Sequence, residues 1–162
     1  MKQSLHAHAR GFTIVELLVT VAIVGILASA IFPLAELSFQ RGREQELRSA
    51  LRELRSALDA YRQAVDDERI LMNKGESGYP RRLEDLVDGV PDAKDPKGGR
   101  LVFLRRIPRD PMIRDAGIPD AKTWGKRSYA SPRNEPREGD DVFDVYSLAP
   151  GSGMNGIPYR EW

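Results

Sequence analysis

One carboxylate in this chain stands where a carboxylate is expensive. Glu16 interrupts residues 12–32, FTIVELLVTVAIVGILASAIF, a run whose other polar side chains are Thr13, Thr20 and Ser29. Hydroxyls can bond back to helix carbonyls and so tolerate an apolar setting. An ionised carboxylate cannot, and at bilayer depth it costs about 2.5–3.5 kcal/mol. Glu16 therefore either reaches a membrane surface or meets a charged partner.

The other residues able to do chemistry form no convergent set. The chain has no cysteine, which excludes disulfides, thiolate metal sites and cysteine nucleophiles. Its two histidines, His6 and His8, both precede the apolar run. Asp66-Asp67-Glu68 and Asp140-Asp141 hold adjacent carboxylates, but loop neighbours rarely converge on one substrate atom. Gly151-Ser152-Gly153 lacks the strand-to-helix setting of a nucleophile elbow and a histidine to serve it. Asp110-Pro111 reads as a turn, and no phosphate loop or dinucleotide fingerprint is present. The expectation is a protein that is not an enzyme and needs no cofactor.

The elements around these residues follow from pattern. As a helix, residues 12–32 would span roughly 30 Å, the hydrocarbon thickness of a bilayer. Pro33 should kink or locally melt that helix, and Gly42 is a second weak point. Beyond it Leu47, Leu51, Leu54, Leu58, Tyr61 and Val65 form one apolar stripe, with Glu44, Arg48, Arg52, Glu53, Arg55, Asp59 and Arg62 outside it. From residue 66 the chain turns to loop chemistry. Leu83, Leu86 and Val87 suggest a short helix ending at Gly89, and strands are expected at 101–104, 128–130 (with Trp124 before it) and 142–148. The fold class is α+β: a long bent N-terminal helix packed on a small antiparallel sheet.

Two processing sites compete. Ala28-Ser29-Ala30 resembles the small-residue cut of a secretory signal peptide, which would release a soluble secreted protein. The other cut lies before the apolar run. Arg10-Gly11-Phe12-Thr13-Ile14-Val15-Glu16 resembles the prepilin peptidase signature of type IV pilins and pseudopilins: a basic leader ending in Gly, then Phe, then Glu as the fifth mature residue. Pro33 sits where that family places a proline after its membrane segment. Gly78-Tyr79-Pro80, Ile107-Pro108-Arg109-Asp110-Pro111, Phe143-Asp144-Val145-Tyr146-Ser147-Leu148 and the closing Trp162 further resemble the major pseudopilins of type II secretion systems. Residues 115–141 are the weakest stretch and read as insertion-like loop.

The resemblance implies a leader at 1–11, a transmembrane and filament-core helix at 12–33, its amphipathic continuation at 34–65, and a periplasmic domain at 66–162. It implies cleavage between Gly11 and Phe12, N-methylation of Phe12, and a charge pair between Glu16 and the Phe12 amine of a neighbouring subunit. The cut removes both histidines and turns the net charge from +1 to −1, so no nucleic-acid partner is expected. Implied partners are copies of the chain, other pseudopilins, prepilin peptidase and an assembly platform in the bacterial inner membrane. The implied function is a structural subunit of a type II secretion pseudopilus that helps export folded proteins. A pilin of a type IV pilus, acting in adhesion, motility or DNA uptake, is the alternative. Such pilins often close their C-terminal region with a disulfide, which this chain lacks.

One feature of the family is missing. Major pseudopilins carry acidic residues near the C-terminus that hold calcium, but residues 149–158 (APGSGMNGIP) contain no Asp or Glu. Backbone carbonyls and Asn155 alone would make a poor calcium site. No metal is expected, and the loop should be held by packing of Tyr159 and Trp162. Arg105, Arg106 and Arg109, with Arg81 and Arg82, read as solvated surface, or else as contacts to Glu84, Asp85, Asp140 and Asp141 of neighbouring subunits.

Overall fold

A computed structural model describes residues 12–132 and 134–162, with the side chains of residues 30–35 outside the description. The chain divides into two units, Met1–Gln40 and Arg41–Trp162. The leader expected at 1–11, including Gly11, lies outside the described residues.

Helix α1, Ile14–Asp66, contributes to both units. Its helical assignment runs unbroken through Pro33 and Gly42, so neither ends it. It stops where Glu68 takes a left-handed φ of 55°, letting the Arg69 and Ile70 N–H groups both donate to the Ala64 carbonyl. That arrangement satisfies a carbonyl the helix end would strand.

In the second unit the predicted stripe is the core. Leu47, Leu51, Leu54 and Leu58 are buried, while Tyr61 and Val65 are half-buried. Ala50, Ala57 and Ala64 are buried beside them and widen the face. Each buried leucine contributes about 1.5–3 kcal/mol. Against the stripe pack Leu83, Leu86, Leu104, Trp124, Val142 and Val145. The short helix α2, Asp85–Asp88, brings Leu86 inward and ends at Gly89, as expected. Gly89 has φ 74°, and a Cβ there would sit 2.9 Å from the Leu101 oxygen, so no other residue fits without rearrangement.

The sheet differs from the expectation. Instead of three strands in one sheet the described residues form two antiparallel ribbons: β1, Val90–Pro91, with β2, Arg100–Leu101, and β3, Trp124–Arg127, with β4, Asp144–Ser147. The expected strand at 101–104 stops at Leu101 because the Phe103 and Leu104 N–H groups both donate to the Leu86 carbonyl, at 2.9 and 3.0 Å. That pins the segment to the end of α2. The expected strand at 128–130 is a turn, closed by the Ser131 N–H on the Ser128 carbonyl, and the strand precedes it. Residues 115–141 are accordingly no mere insertion. They carry a 3₁₀ turn at Asp120–Lys122 and β3, whose Trp124 is 1% exposed. Gly125 opposes Tyr146 across the ribbon, and the Tyr146 ring occupies the space a Cβ would need.

Candidate functional site

The residues singled out for processing and assembly lie in the first unit. Phe12 is described and is 81% exposed. Thr13 Oγ1 accepts the Glu16 backbone N–H at 3.2 Å, so Thr13 caps the helix and Glu16 falls in its first turn. Thr-x-x-Glu before an apolar run is a capping-box pattern, and sequence reasoning missed it. The positive end of the helix dipole favours a carboxylate there. Among the described residues the Glu16 carboxyl itself has no hydrogen bond or ion pair.

Two of the hydroxyls, those of Thr20 and Ser29, behave as expected. Thr20 Oγ donates to the Leu17 carbonyl at 2.8 Å and Ser29 Oγ to the Ile26 carbonyl at 2.7 Å. Large apolar side chains are exposed all around this helix, from Ile14, Val15 and Leu17 through Val24, Ile26 and Leu27. A helix apolar on every side is a buried element or a membrane segment, not a free surface. Among the described residues no helix is long and apolar enough to cross a membrane.

In the second unit the C-terminal loop is tied to α1. Glu44, expected outside the stripe, is 4% exposed. Its Oε1 accepts the Met154 N–H at 2.9 Å and the Tyr159 hydroxyl at 3.2 Å. One turn on, the Arg48 guanidinium lies 4.4 Å over the Trp162 ring. Further on, Arg55 donates to Asp144 Oδ1, the Val145 carbonyl and the Trp162 main-chain oxygen, at 2.8, 3.1 and 2.7 Å. Tyr159 and Trp162 meet edge to face at 5.3 Å, the packing expected of them. The helix carboxyl is the part the sequence reading missed. Its signal was available, since Glu44 precedes Leu47 by three and Leu51 by seven, in register with the buried stripe.

Asp110 does more than make a turn. It is fully buried; its carboxyl accepts the Ser147 hydroxyl at 2.5 Å and the Met112 N–H at 2.8 Å. Burial pushes its pKa up, against those bonds, which pull the other way. Thr123 Oγ1 accepts the Asp110 N–H, and the Trp124 indole donates to the Pro108 carbonyl at 2.7 Å. An acid and a serine thus meet without access to solvent or a substrate, and the pair fastens 108–112 to β3 and β4.

The arginine clusters divide. Arg109 turns onto Asp120 and the carbonyls of Asp115 and Ile118. Arg82 pairs with Asp85 and Arg81 with Glu76. Glu76 is held at a pKa of about 2, chiefly by hydrogen bonds from the Asn73 side chain and backbone and from Arg81. Arg105 and Arg106 stay exposed, with no hydrogen bond or ion pair among the described residues. Among those residues no group of three or more His, Asp or Glu side chains is placed to hold a metal ion.

Comparison with curated proteins and with solved structures found no match. Residues 6–32 match the family described as the prokaryotic N-terminal methylation motif. The matched segment contains Gly11, Phe12 and Glu16 and runs through the apolar, solvent-exposed turns of α1. It supports a type IV pilin-like protein with a prepilin signal and a membrane-anchored N-terminus.

Proposed function

We propose that this chain is a structural subunit of a type II secretion pseudopilus and works by association rather than catalysis. Prepilin peptidase cuts between Gly11 and Phe12 and methylates the new Phe12 amine. The apolar segment 12–33 holds the subunit in the inner membrane, and residues 66–162 stand in the periplasm. Copies then stack with other pseudopilins through their N-terminal helices into a filament that helps export folded proteins.

The methylation-motif match across residues 6–32 carries the pilin-like part of this reading. The physics of Glu16 supports it. A methylated amine remains a cation, and a carboxylate and an amine that are each costly in lipid cost less together. The pair would also set the register between neighbouring helices. Two features favour secretion over a pilus. No cysteine is present to close a pilin disulfide, and the C-terminal loop is fastened by Glu44 instead.

Deleting the gene in its own host tests the choice. Folded exoproteins should accumulate in the periplasm while surface pili and twitching motility persist. Loss of pili with secretion intact would assign the chain to a type IV pilus.

A further inference from the structure

Two surfaces of the second unit are unlike in charge and lie on opposite flanks of α1. The first is a shallow groove where Ala57 and Ala60 meet Phe103, rimmed by Arg105 and Arg106, with Glu53 the acid on its helix side. Phe103 is half-buried and both arginines are exposed. The second is an aromatic patch. Tyr129, 62% exposed, stacks on Tyr79 at 6.0 Å and meets Phe143 edge to face at 5.4 Å.

Carboxyls surround that patch. Asp59 and Asp140 are exposed with no ion pair among the described residues, and Asp141 accepts the Tyr129 N–H at 2.8 Å. Burial raises the Tyr79 hydroxyl pKa, with the Asp59 carboxylate adding to the rise and Arg62 opposing it. The chain's own cations cover only part of the patch, with Arg81, paired to Glu76, on its Asp140 side. Arg62 lies 6.0 Å over Tyr79 and is paired to Asp66, and Arg127 lies 4.8 Å over Phe143. The outer face of Tyr129 is left open.

At about 100° per residue, positions 53, 57 and 60 fall on one side of the buried stripe, and 55, 59 and 62 on the other. We propose that these surfaces bind each other between copies of the chain, Arg105 and Arg106 of one copy docking on the acidic, Tyr129-centred patch of the next. Arginine fits such a place well, since its planar guanidinium stacks on an aromatic face and bonds carboxylates together. A contact between two different surfaces is heterologous, and when it does not close on itself it builds an open filament. Arg109 and Asp85, drawn into internal pairs, take no part. The proposal rests on the reading that copies of this chain associate.

The full-length chain in its host membranes provides the test. It has no native cysteine, so Arg106→Cys with Asp140→Cys in one chain gives two unique reactive points. A bismaleimide should produce a ladder of dimers, trimers and higher species, and neither single variant should produce one. Arg105→Glu with Arg106→Glu should sharply reduce the multimers trapped by a lysine-reactive cross-linker, and adding Asp59→Arg with Asp140→Arg should restore them, which a misfolded variant could not do. If lysine cross-linking traps multimers of the unsubstituted chain but the double-cysteine chain gives no ladder, this interface is wrong and self-association stands. If the unsubstituted chain yields no multimers at all, the interface and the functional reading fall together.

Discussion

Replacing Glu44 should release the C-terminal loop without unfolding the core. In Glu44→Ala the Met154 N–H and the Tyr159 hydroxyl lose their acceptor. A hydrogen bond to a charged group contributes about 1.5–3 kcal/mol when buried and less where solvent competes. The Tyr159 hydroxyl is buried and the Met154 N–H partly so. Alanine returns a few tenths of a kcal/mol through helix propensity, so the net loss is about 2–4 kcal/mol. Because Glu44 joins one loop to a helix with its own leucine stripe, the loss should appear as local opening. At about 1.4 kcal/mol per factor of ten, amide exchange across residues 151–159 should accelerate roughly 30- to 700-fold. Peptides covering residues 47–58 should exchange as before. Glu44→Gln retains an acceptor oxygen and should cost under about 1.5 kcal/mol. Hydrogen exchange with mass spectrometry on the detergent-solubilised chain reads all three. Unchanged exchange at 151–159 in Glu44→Ala would refute the latch. Equal acceleration in the loop and at 47–58 would show that Glu44 supports the whole fold instead.

Other outcomes follow from single sites. Glu68→Gly should stabilise the second unit by about 0.5–1 kcal/mol, because glycine adopts the left-handed φ at the end of α1 without strain but gains freedom when unfolded; thermal unfolding should shift up by a few degrees, and an unchanged midpoint would count against a strained helix end. Asp110 has a raised folded pKa, so the folded state binds its proton more tightly than the unfolded chain. Its contribution should therefore fall as pH rises from about 4 through the raised value, and Asp110→Asn should flatten that slope in urea unfolding followed by tryptophan fluorescence. Glu16→Gln should leave cleavage intact and lower filament assembly, scored by sheared filaments or cross-linked multimers; normal assembly would remove the proposed charge pair.

How far the fold could be read varied with the strength of its periodic signals. Leu47, Leu51, Leu54 and Leu58 repeat at helical spacing, so the buried stripe was plain, as was the short helix closed by Gly89. β3 was not, because Trp-Gly-Lys-Arg has no apolar alternation. Its place is set by Tyr146 covering Gly125 and by the Trp124 indole reaching the Pro108 carbonyl, both long-range contacts. The strand expected at 101–104 is cut short at Leu101 because the Phe103 and Leu104 N–H groups meet the Leu86 carbonyl rather than a neighbouring strand. Gly11, Phe12 and Glu16 lie within the segment 6–32 that matches the methylation motif, a linear pattern that can be read without the fold. In the sequence Glu44 and Asp110 read as surface and turn, since an isolated acid looks solvated until its partners arrive from residues 37 or more positions away.

The central claim concerns where the mature chain begins. Intact mass and N-terminal peptide analysis of the protein purified from its own membranes would measure that directly. The account predicts a chain beginning at N-methylated Phe12. A soluble chain beginning at Ile31 would contradict it and point to a secreted protein cut after Ala30.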